Sequence, residues 1–342
     1  YALSGFHLEQ PNARLFASQE AAQQISELLE SKSIDILQLE NTELGQYGLR
    51  EFPGVKTVLT ESDLAFEQHR RRSQMGFHRR FPEGNAYGSS FGDWLRLVRH
   101  ELTVCRSADQ IHVMSRTDGQ FLSNYLGDGW SRIRVVPNAV DTAFYQPSAT
   151  TSARRGVLYV GNFQHLPNVD ALEYLADEIW PLVRAGAPDS SLAVVGAHPS
   201  HRVTQYHGQH GIEVIGGVPD LRPYYHRHRL MVAPIRAGSG TRLKILEAFA
   251  SGIPVVSTTL GAEGIEAEHD RDILLADEPR EFADAVLRLQ QDDGLCDRLS
   301  SSALSLAGDR YDWQQSAEAI LSGWSELLEP DRGGALTRHP DS

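Results

Sequence analysis

Cysteine is scarce: two occur in 342 residues, Cys105 and Cys296. They lie too far apart for a C-x-x-C redox or zinc motif, so no disulfide framework is expected and a reducing, cytoplasmic compartment is the simplest setting. Long apolar runs are also lacking. Ile253–Val256 and Val157–Val160 are strand-sized, far short of the ~20 residues a membrane span needs. Positive charge is in deficit, 32 Lys and Arg against 45 Asp and Glu, giving a net charge of -13. Such a chain repels nucleic acid and anionic lipid at long range, and nucleic-acid binding is not expected. Tyr1–Pro11 carries neither the basic start nor the apolar stretch of a signal peptide, and the chain reads as a piece of a longer one. Solenoid repeats and the G-x-S-x-G pattern of serine hydrolases are absent.

What is there is a globular composition, 41% hydrophobic and 23% charged, rich enough to bury a core and long enough for two domains. Apolar spacing predicts helices over Ala17–Leu29, Glu61–Arg80 and Gly92–Arg106, and buried strands over Ile34–Leu39, Val55–Leu59 and Gln110–Met114, with a loop at Pro82–Ser90. After Ile133–Val136 the chain runs through Pro137–Asp141, Phe144 and Pro147 into Ser148–Arg155, a polar stretch that reads as a linker. A second alternation follows. Its strands are Gly156–Val160, Ser191–Val195, Gly211–Ile215, Leu230–Pro234, Pro254–Ser257 and Ile273–Leu275, with helices at Asn168–Val183 and Lys244–Ala250. Helices at about Arg280–Gln290, Asp293–Ala307 and Trp313–Leu328 close the chain, and Pro330–Ser342 is expected to be disordered. Strands separated by helices favour parallel sheets, because a tight hairpin cannot close a parallel pair. The expectation is an α/β chain of two doubly wound sheets, residues 1–147 and 148–329, with a tail over 330–342. Ligands bind such sheets at the carboxyl ends of the strands, here in the cleft between them.

One stretch carries chemistry, Ala233–Ile265. A strand ends at Pro234, the loop Gly238-Ser239-Gly240-Thr241 opens a helix, and Arg242, Lys244 and Glu247 lie in its first turns. A helix start offers unpaired N–H groups and about half a positive charge, glycines let a ligand approach the backbone, and two cations add attraction for a diphosphate. Glu247 is suited to accept hydrogen bonds from the two hydroxyls of a ribose. A phosphate end and a sugar end together suggest a nucleotide.

At these residues the chain resembles the GT-B-fold glycosyltransferases, specifically the retaining family 4 group (glycosyl transferases group 1). The family's Pro-Asn-Gly-Val-Asp linker signature stands here as PNAVD (Pro137–Asp141) with Phe144 and Pro147. Its donor-domain opening is LYVGN (Leu158–Asn162), its late strand-turn GIPVVSTTLGAEGI (Gly252–Ile265) and its final-helix entry RYDW (Arg310–Trp313). Glu247 takes the place of the second Glu of the family's E-x7-E, which binds the ribose, and Ser239 stands where the first would be. Relatives carry an Arg and a Lys after the first donor-domain strand. Here Gly161 is followed by Asn162, with His165 and Asn168 in the turn, so Arg242 and Lys244 are the candidate leaving-group stabilisers. The donor contacts implied are Gly161, Asn162, Gly238, Ser239, Gly240, Thr241 and Glu247. On the amino-terminal side the family uses a glycine-rich loop, which would precede Tyr1 and leave that domain truncated. It also uses a His that meets the donor sugar, whose position falls at Ser62 in LTESD (Leu59–Asp63).

The resemblance implies two Rossmann-like domains facing across a cleft, the first acceptor-binding and the second donor-binding. It implies a hexosyltransferase-type enzyme moving a sugar from a nucleotide-diphosphate sugar to a hydroxyl of a sugar, polysaccharide or lipid-linked acceptor, with retention. No metal or other cofactor is called for. Polysaccharide or glycolipid biosynthesis, in the cytoplasm or peripherally on the inner face of the membrane, is the implied setting.

Plainer readings compete. Lys244 and Glu247 could form an i,i+3 surface ion pair over a simple glycine turn. His198, His201, His207, His210, His226 and His228 invite a metal reading that their spacing fits poorly. Asp270-Arg271-Asp272 mimics a metal-binding D-x-D but reads better as a solvated turn. Arg70, Arg71, Arg72, Arg79 and Arg80, interleaved with Phe77, Phe81 and Trp94, read first as a solvated helix face and second as a docking surface for a membrane or a phosphorylated lipid. A nucleotide-sugar epimerase and a non-catalytic nucleotide-sugar-binding module stay open as alternative functions.

Overall fold

A computed structural model describes residues 16–48, 52–74, 91–127, 129–148 and 154–329. The loop at Pro82–Ser90, most of the linker and the tail from Pro330 lie outside them, as do Phe77, Arg79, Arg80 and Phe81. The first sheet is built from α1 (Gln19–Ser31), β1 (Ile36–Glu40), β2 (Lys56–Glu61), α2 (Ala65–Gln74), α3 (Phe91–Ser107), β3 (Gln110–Val113), α4 (Arg116–Leu126) and β4 (Ile133–Val135). Its strands are all parallel in the order β1-β2-β3-β4, with no reversal among them. Phe66, Leu59, Ile111 and Leu122 are fully buried at its centre.

Glu61, expected to open a helix, instead ends β2, and α2 begins only at Ala65. The cause is local. Glu101 on α3 accepts the Ala65 and Phe66 amides at 2.9 and 3.0 Å, which fixes the helix start there by satisfying donors that have no partner within the helix. The helix Arg116–Leu126 was not anticipated. Ser115 caps it by accepting the Asp118 amide, and left-handed Gly127 ends it.

The second sheet holds β5 (Val157–Val160), α5 (Leu166–Tyr174), α6 (Trp180–Gly186), β6 (Leu192–Val195), α7 (His201–Thr204), β7 (Ile212–Gly216), α8 (Arg222–Arg227), β8 (Leu230–Ala233), α9 (Leu243–Ala250), β9 (Val255–Ser257) and β10 (Leu274–Leu275). Three helices follow: α10 (Pro279–Gln291), α11 (Asp293–Arg310) and α12 (Trp313–Leu328). The single helix expected over Asn168–Val183 is broken by a π turn at Leu175–Ile179. Pro181, which has no N–H to donate, sits in the turn that follows. The strand order is β10-β9-β8-β5-β6-β7, all parallel. Four-residue strands this apolar are buried on both faces, between Trp180 and Phe282 on one side and Ile245 and Phe249 on the other. The chain leaves β5 toward β6 and returns to β5's other edge as β8. The crevice beyond the carboxyl ends of β5 and β8 is therefore the switch point where such sheets bind ligands.

The last helix departs from the expected division at residues 147 and 148. Although it follows the second sheet in sequence, α12 crosses back to the first. Gln110 Nε2 donates to Gly323 O at 3.0 Å, Trp324 Nε1 to Gln38 Oε1 at 3.1 Å, and Arg134 pairs with Glu326 at 2.7 Å. Among the described residues no helix is long and apolar enough to cross a membrane.

Candidate active site

The loop that leaves β8 is held from below. Ser257 Oγ donates to Ala233 O at 3.1 Å, Thr258 Oγ1 donates to Ile235 O, and the Gly261 amide donates to Thr258 Oγ1 at 2.9 Å. Above that brace the chain turns through Gly238 (φ 110°) and Gly240 (φ 78°), backbone conformations that need glycine. Arg242 is the residue before α9. Its Nη1 folds back to donate to Ser239 O and Gly240 O, while Nη2 is buried without a partner. Thr241 Oγ1 is likewise buried and unpartnered. Among the described residues the amides of 239–242 donate to no protein acceptor. Unused donors therefore converge at the positive end of α9, the arrangement that holds anions.

Lys244 is less exposed than a surface ion pair would require. Its Nζ donates to Asn168 Oδ1 at 2.8 Å and lies 5.4 Å from the centre of the Tyr159 ring. Burial, with Arg242 adding repulsion, brings its pKa down to about 7. Burial also lowers the Arg242 guanidinium, against the pull of Asp63 and Glu263. Glu247 is fixed by phenols: Tyr225 Oη donates to its Oε2 at 2.8 Å, and Tyr145 bonds it as well. Burial first, and Glu247 second, push Tyr145 to about 12. The Lys244–Glu247 surface pair is not formed.

Gly161 and Asn162 lie at the end of β5 on the opposite side of the crevice. A Cβ at Gly196 would come within 1.6 Å of Gly161 O, so the loops after β5 and β6 touch backbone to backbone. Asn168 Nδ2 donates to Asn162 O at 2.8 Å. Asn168 thus joins the β5 loop to Lys244. All nine residues singled out from sequence lie on the two loops at the switch point or on α9 between them.

The first sheet meets this loop directly. Asp63, just after β2, accepts from Ser239 Oγ at 3.2 Å, and its Oδ1 lies 2.1 Å from where a Cβ on Gly240 would stand. Ser62 O is 3.3 Å from the same point, so the backbone that follows β2 lies against the loop. Arg71 on α2 donates to Gly238 O at 3.5 Å and forks onto Glu263, with Nη2 to Oε1 at 2.9 Å. Burial raises Asp63 to about 6, although Arg242 pulls the other way. Sequence reasoning did not single out Asp63, Glu263, Tyr145 or Tyr225, and it placed Arg71 in a solvated or docking cluster rather than against this loop. Asp63, Glu263 and Tyr145 lie in or beside the recognised motifs LTESD, GAEGI and PNAVD, whereas Tyr225 lies beside none of them.

The competing readings resolve one by one. Among the described residues no group of three or more His, Cys, Asp or Glu is arranged to hold a metal. Asp272 is buried and accepts from Ser302 Oγ and the Glu268 amide, so Asp270–Asp272 is a structural turn. Arg70 and Arg71 are both bound to Glu67, and Trp94 Nε1 donates to Phe66 O at 3.1 Å. These residues of the basic-aromatic cluster are spent within the fold.

Known proteins bear on this geometry. Residues 154–292 match the family model for glycosyl transferases group 1. The chain is 28% identical over 266 residues to the D-inositol 3-phosphate glycosyltransferase of Acidothermus cellulolyticus, an alignment spanning 71% of this chain and 59% of that protein. It is 24% identical over 214 residues to the lipopolysaccharide core biosynthesis mannosyltransferase LpsB of Rhizobium meliloti, covering 57% of this chain and 61% of that one. The chain thus spans about three fifths of the length of these relatives. Among solved structures, sucrose-phosphate synthase from Thermosynechococcus elongatus superimposes with a TM-score of 0.68 at 18% identity, over 90% of this chain and 77% of that one. Anabaena HepE in complex with UDP gives 0.68 at 15% identity, over 93% and 84%. With its two parallel sheets meeting at the β5–β8 crevice, the chain has the GT-B fold, and its residues 154–292 carry the glycosyl transferases group 1 match.

Proposed function

We propose that the chain transfers a sugar from a nucleotide-diphosphate sugar to an acceptor hydroxyl, with the diphosphate at the start of α9. One observation carries this reading: the amides of 239–242, Thr241 Oγ1 and Arg242 Nη2, without partners among the described residues and all at the switch point of the second sheet. The names of the relatives, a glycosyltransferase and a mannosyltransferase, support the reaction class. The UDP bound in HepE supports a nucleoside diphosphate as the leaving group.

As the bond between the anomeric carbon and the diphosphate breaks, negative charge grows on the leaving oxygens. Preorganised amides, Arg242 and Lys244 meet that charge, where stabilisation specific to the transition state accelerates the reaction. On this reading no metal ion is called on. Glu247, held by Tyr225 and Tyr145, takes the ribose hydroxyls, and Gly161 and Asn162 close the far wall. The leaving phosphate then takes the proton of an acceptor hydroxyl approaching from the same face, which retains the anomeric configuration. The Asp63–Ser239 and Arg71–Glu263 contacts bring the first sheet over the loop and limit water as a competing acceptor. Polysaccharide or glycolipid assembly is the setting proposed.

Measuring nucleoside diphosphate release with and without acceptor tests the reading. Acceptor-dependent release is expected. Sugar interconversion without acceptor would indicate an epimerase, and donor binding without turnover a binding module. A thermal-shift screen of UDP-, GDP- and ADP-sugars identifies the donor, because a ligand that binds only the native state raises the melting temperature.

A further inference from the structure

A second cavity, of about 590 Å³, opens at the carboxyl ends of β1 and β2. That lies within the roughly 300–1,000 Å³ of small-molecule sites. Asp63 lines it and also accepts from Ser239 Oγ at 3.2 Å, so the cavity adjoins the diphosphate loop. Its sign is unusual. Glu40, Glu43, Glu61 and Asp63 line it with Asn41 and Gln68, and no Lys, Arg or His does among the described residues.

Glu61 gives the strongest indication of a ligand. Its side chain belongs to a residue only 3% exposed, and its Oε2 has no hydrogen-bond partner among the described residues. A buried polar atom without a partner carries a desolvation cost that native folds rarely leave standing. Burial first, and then the carboxylates of Glu101, Glu43, Asp63 and Asp118, hold Glu61 well above the usual carboxylate range. Asp63 differs, since Arg242 and Arg72 answer its charge from the side of the donor loop. Glu40 is held in place by Gln38 Nε2 at 2.8 Å and Thr60 Oγ1 at 3.3 Å. Glu40 and Glu43 thus supply the negative charge, Glu61 adds a buried oxygen without a partner among the described residues, and the complementary ligand is rich in hydrogen-bond donors and free of anionic groups.

We propose that this cavity is the acceptor site, that it takes an uncharged or amine-bearing polyol whose hydroxyl and ammonium hydrogens meet Glu40, Glu43 and Glu61, and that it rejects phosphorylated or carboxylated acceptors. The proposal rests on the glycosyltransferase reading and narrows it. An inositol phosphate, the compound in the name of the Acidothermus relative, meets carboxylates here without a compensating cation. Like-charge juxtaposition of this kind is an effective way to exclude a wrong partner.

The test uses the whole chain and two matched pairs of probes, glucosamine with its phosphomonoester and myo-inositol with its phosphomonoester. Binding is measured by calorimetry, and transfer by diphosphate release with a nucleotide sugar that the chain binds. The unphosphorylated member of each pair is expected to bind at least about tenfold tighter, and Glu40→Lys and Glu43→Lys to shrink that ratio about tenfold while nucleotide affinity stays unchanged. Tighter binding of the phosphomonoesters, or a ratio that neither substitution moves, overturns the inference. The two readings fail separately. Selective binding without transfer keeps the cavity's chemistry and removes the transferase, whereas transfer to the phosphomonoesters keeps the transferase and removes the cavity's chemistry.

Discussion

Arg242 serves two purposes at once: its Nη1 ties the loop through Ser239 O and Gly240 O, and its buried Nη2 remains for a ligand. Removing a donor of this kind from a preorganised anion site costs about 2–4 kcal/mol in the transition state, so Arg242→Ala should lower kcat/KM roughly 30- to 1,000-fold. Arg242→Lys should recover little of this, since a point charge cannot reproduce the fork that holds two carbonyls and still reaches outward. Steady-state kinetics on folded variants checks both. Glu247 belongs to binding. Glu247→Ala leaves Tyr225 and Tyr145 without their acceptor and removes the ribose contact, and nucleotide affinity should weaken by about 1.5–3 kcal/mol in calorimetry. An unchanged affinity would remove Glu247 from the site.

The loop from Gly238 to the first turn of α9 was legible in the sequence because glycines, cations and a helix start crowd into ten residues. Its partners were not. Asp63 stands 176 positions from Ser239 and Arg71 stands 192 from Glu263, and periodicity carries no information about such pairs. The burial of Lys244 was not legible either, because nothing local announces the Asn168 and Tyr159 that surround it. Both partly buried groups give the element a pH dependence. Raising pH through about 6 ionises Asp63 beside the loop, and raising it through about 7 discharges Lys244. Each change disfavours a diphosphate. At an effective dielectric of about 20, a unit charge about 8 Å away is worth about 2 kcal/mol, so affinity for a nucleotide sugar should fall roughly tenfold or more at each titration. Asp63→Asn should abolish the lower of the two. Stability responds to Lys244 in the opposite sense. The folded chain releases that proton near 7 and the unfolded chain near ~10.4, so between them the unfolded state binds more protons and this group's contribution to stability rises with pH. Calorimetric titrations from pH 5 to about pH 9 separate the two trends.

At the scale of the whole molecule, the two sheets are joined by more than the linker. Most strands and helices followed from alternation of apolar runs, but the return of α12 to the first sheet did not, because its apolar spacing says only that it packs against something. Gly323 marks the contact: a Cβ there would stand 2.7 Å from Gln110 Oε1 and 3.2 Å from His112 Nε2. Those two groups bond each other at 2.7 Å, and burial holds His112 down at about 4. Gly323→Val should therefore cost about 1–3 kcal/mol by overpacking, seen as a lower midpoint in denaturant, whereas Gly308→Ala, with open space around it, should cost nothing measurable.

The central claim is that a nucleoside diphosphate is held by the backbone at the start of α9. Hydrogen exchange at the amides of Ser239, Gly240, Thr241 and Arg242, followed with and without saturating nucleoside diphosphate, tests it most directly, because those donors have no acceptor among the described residues to slow them. Strong protection of these four, with the amides of β7 unchanged, is the expected result. Binding that leaves them exchanging as fast as before, while protecting amides elsewhere, would contradict the account.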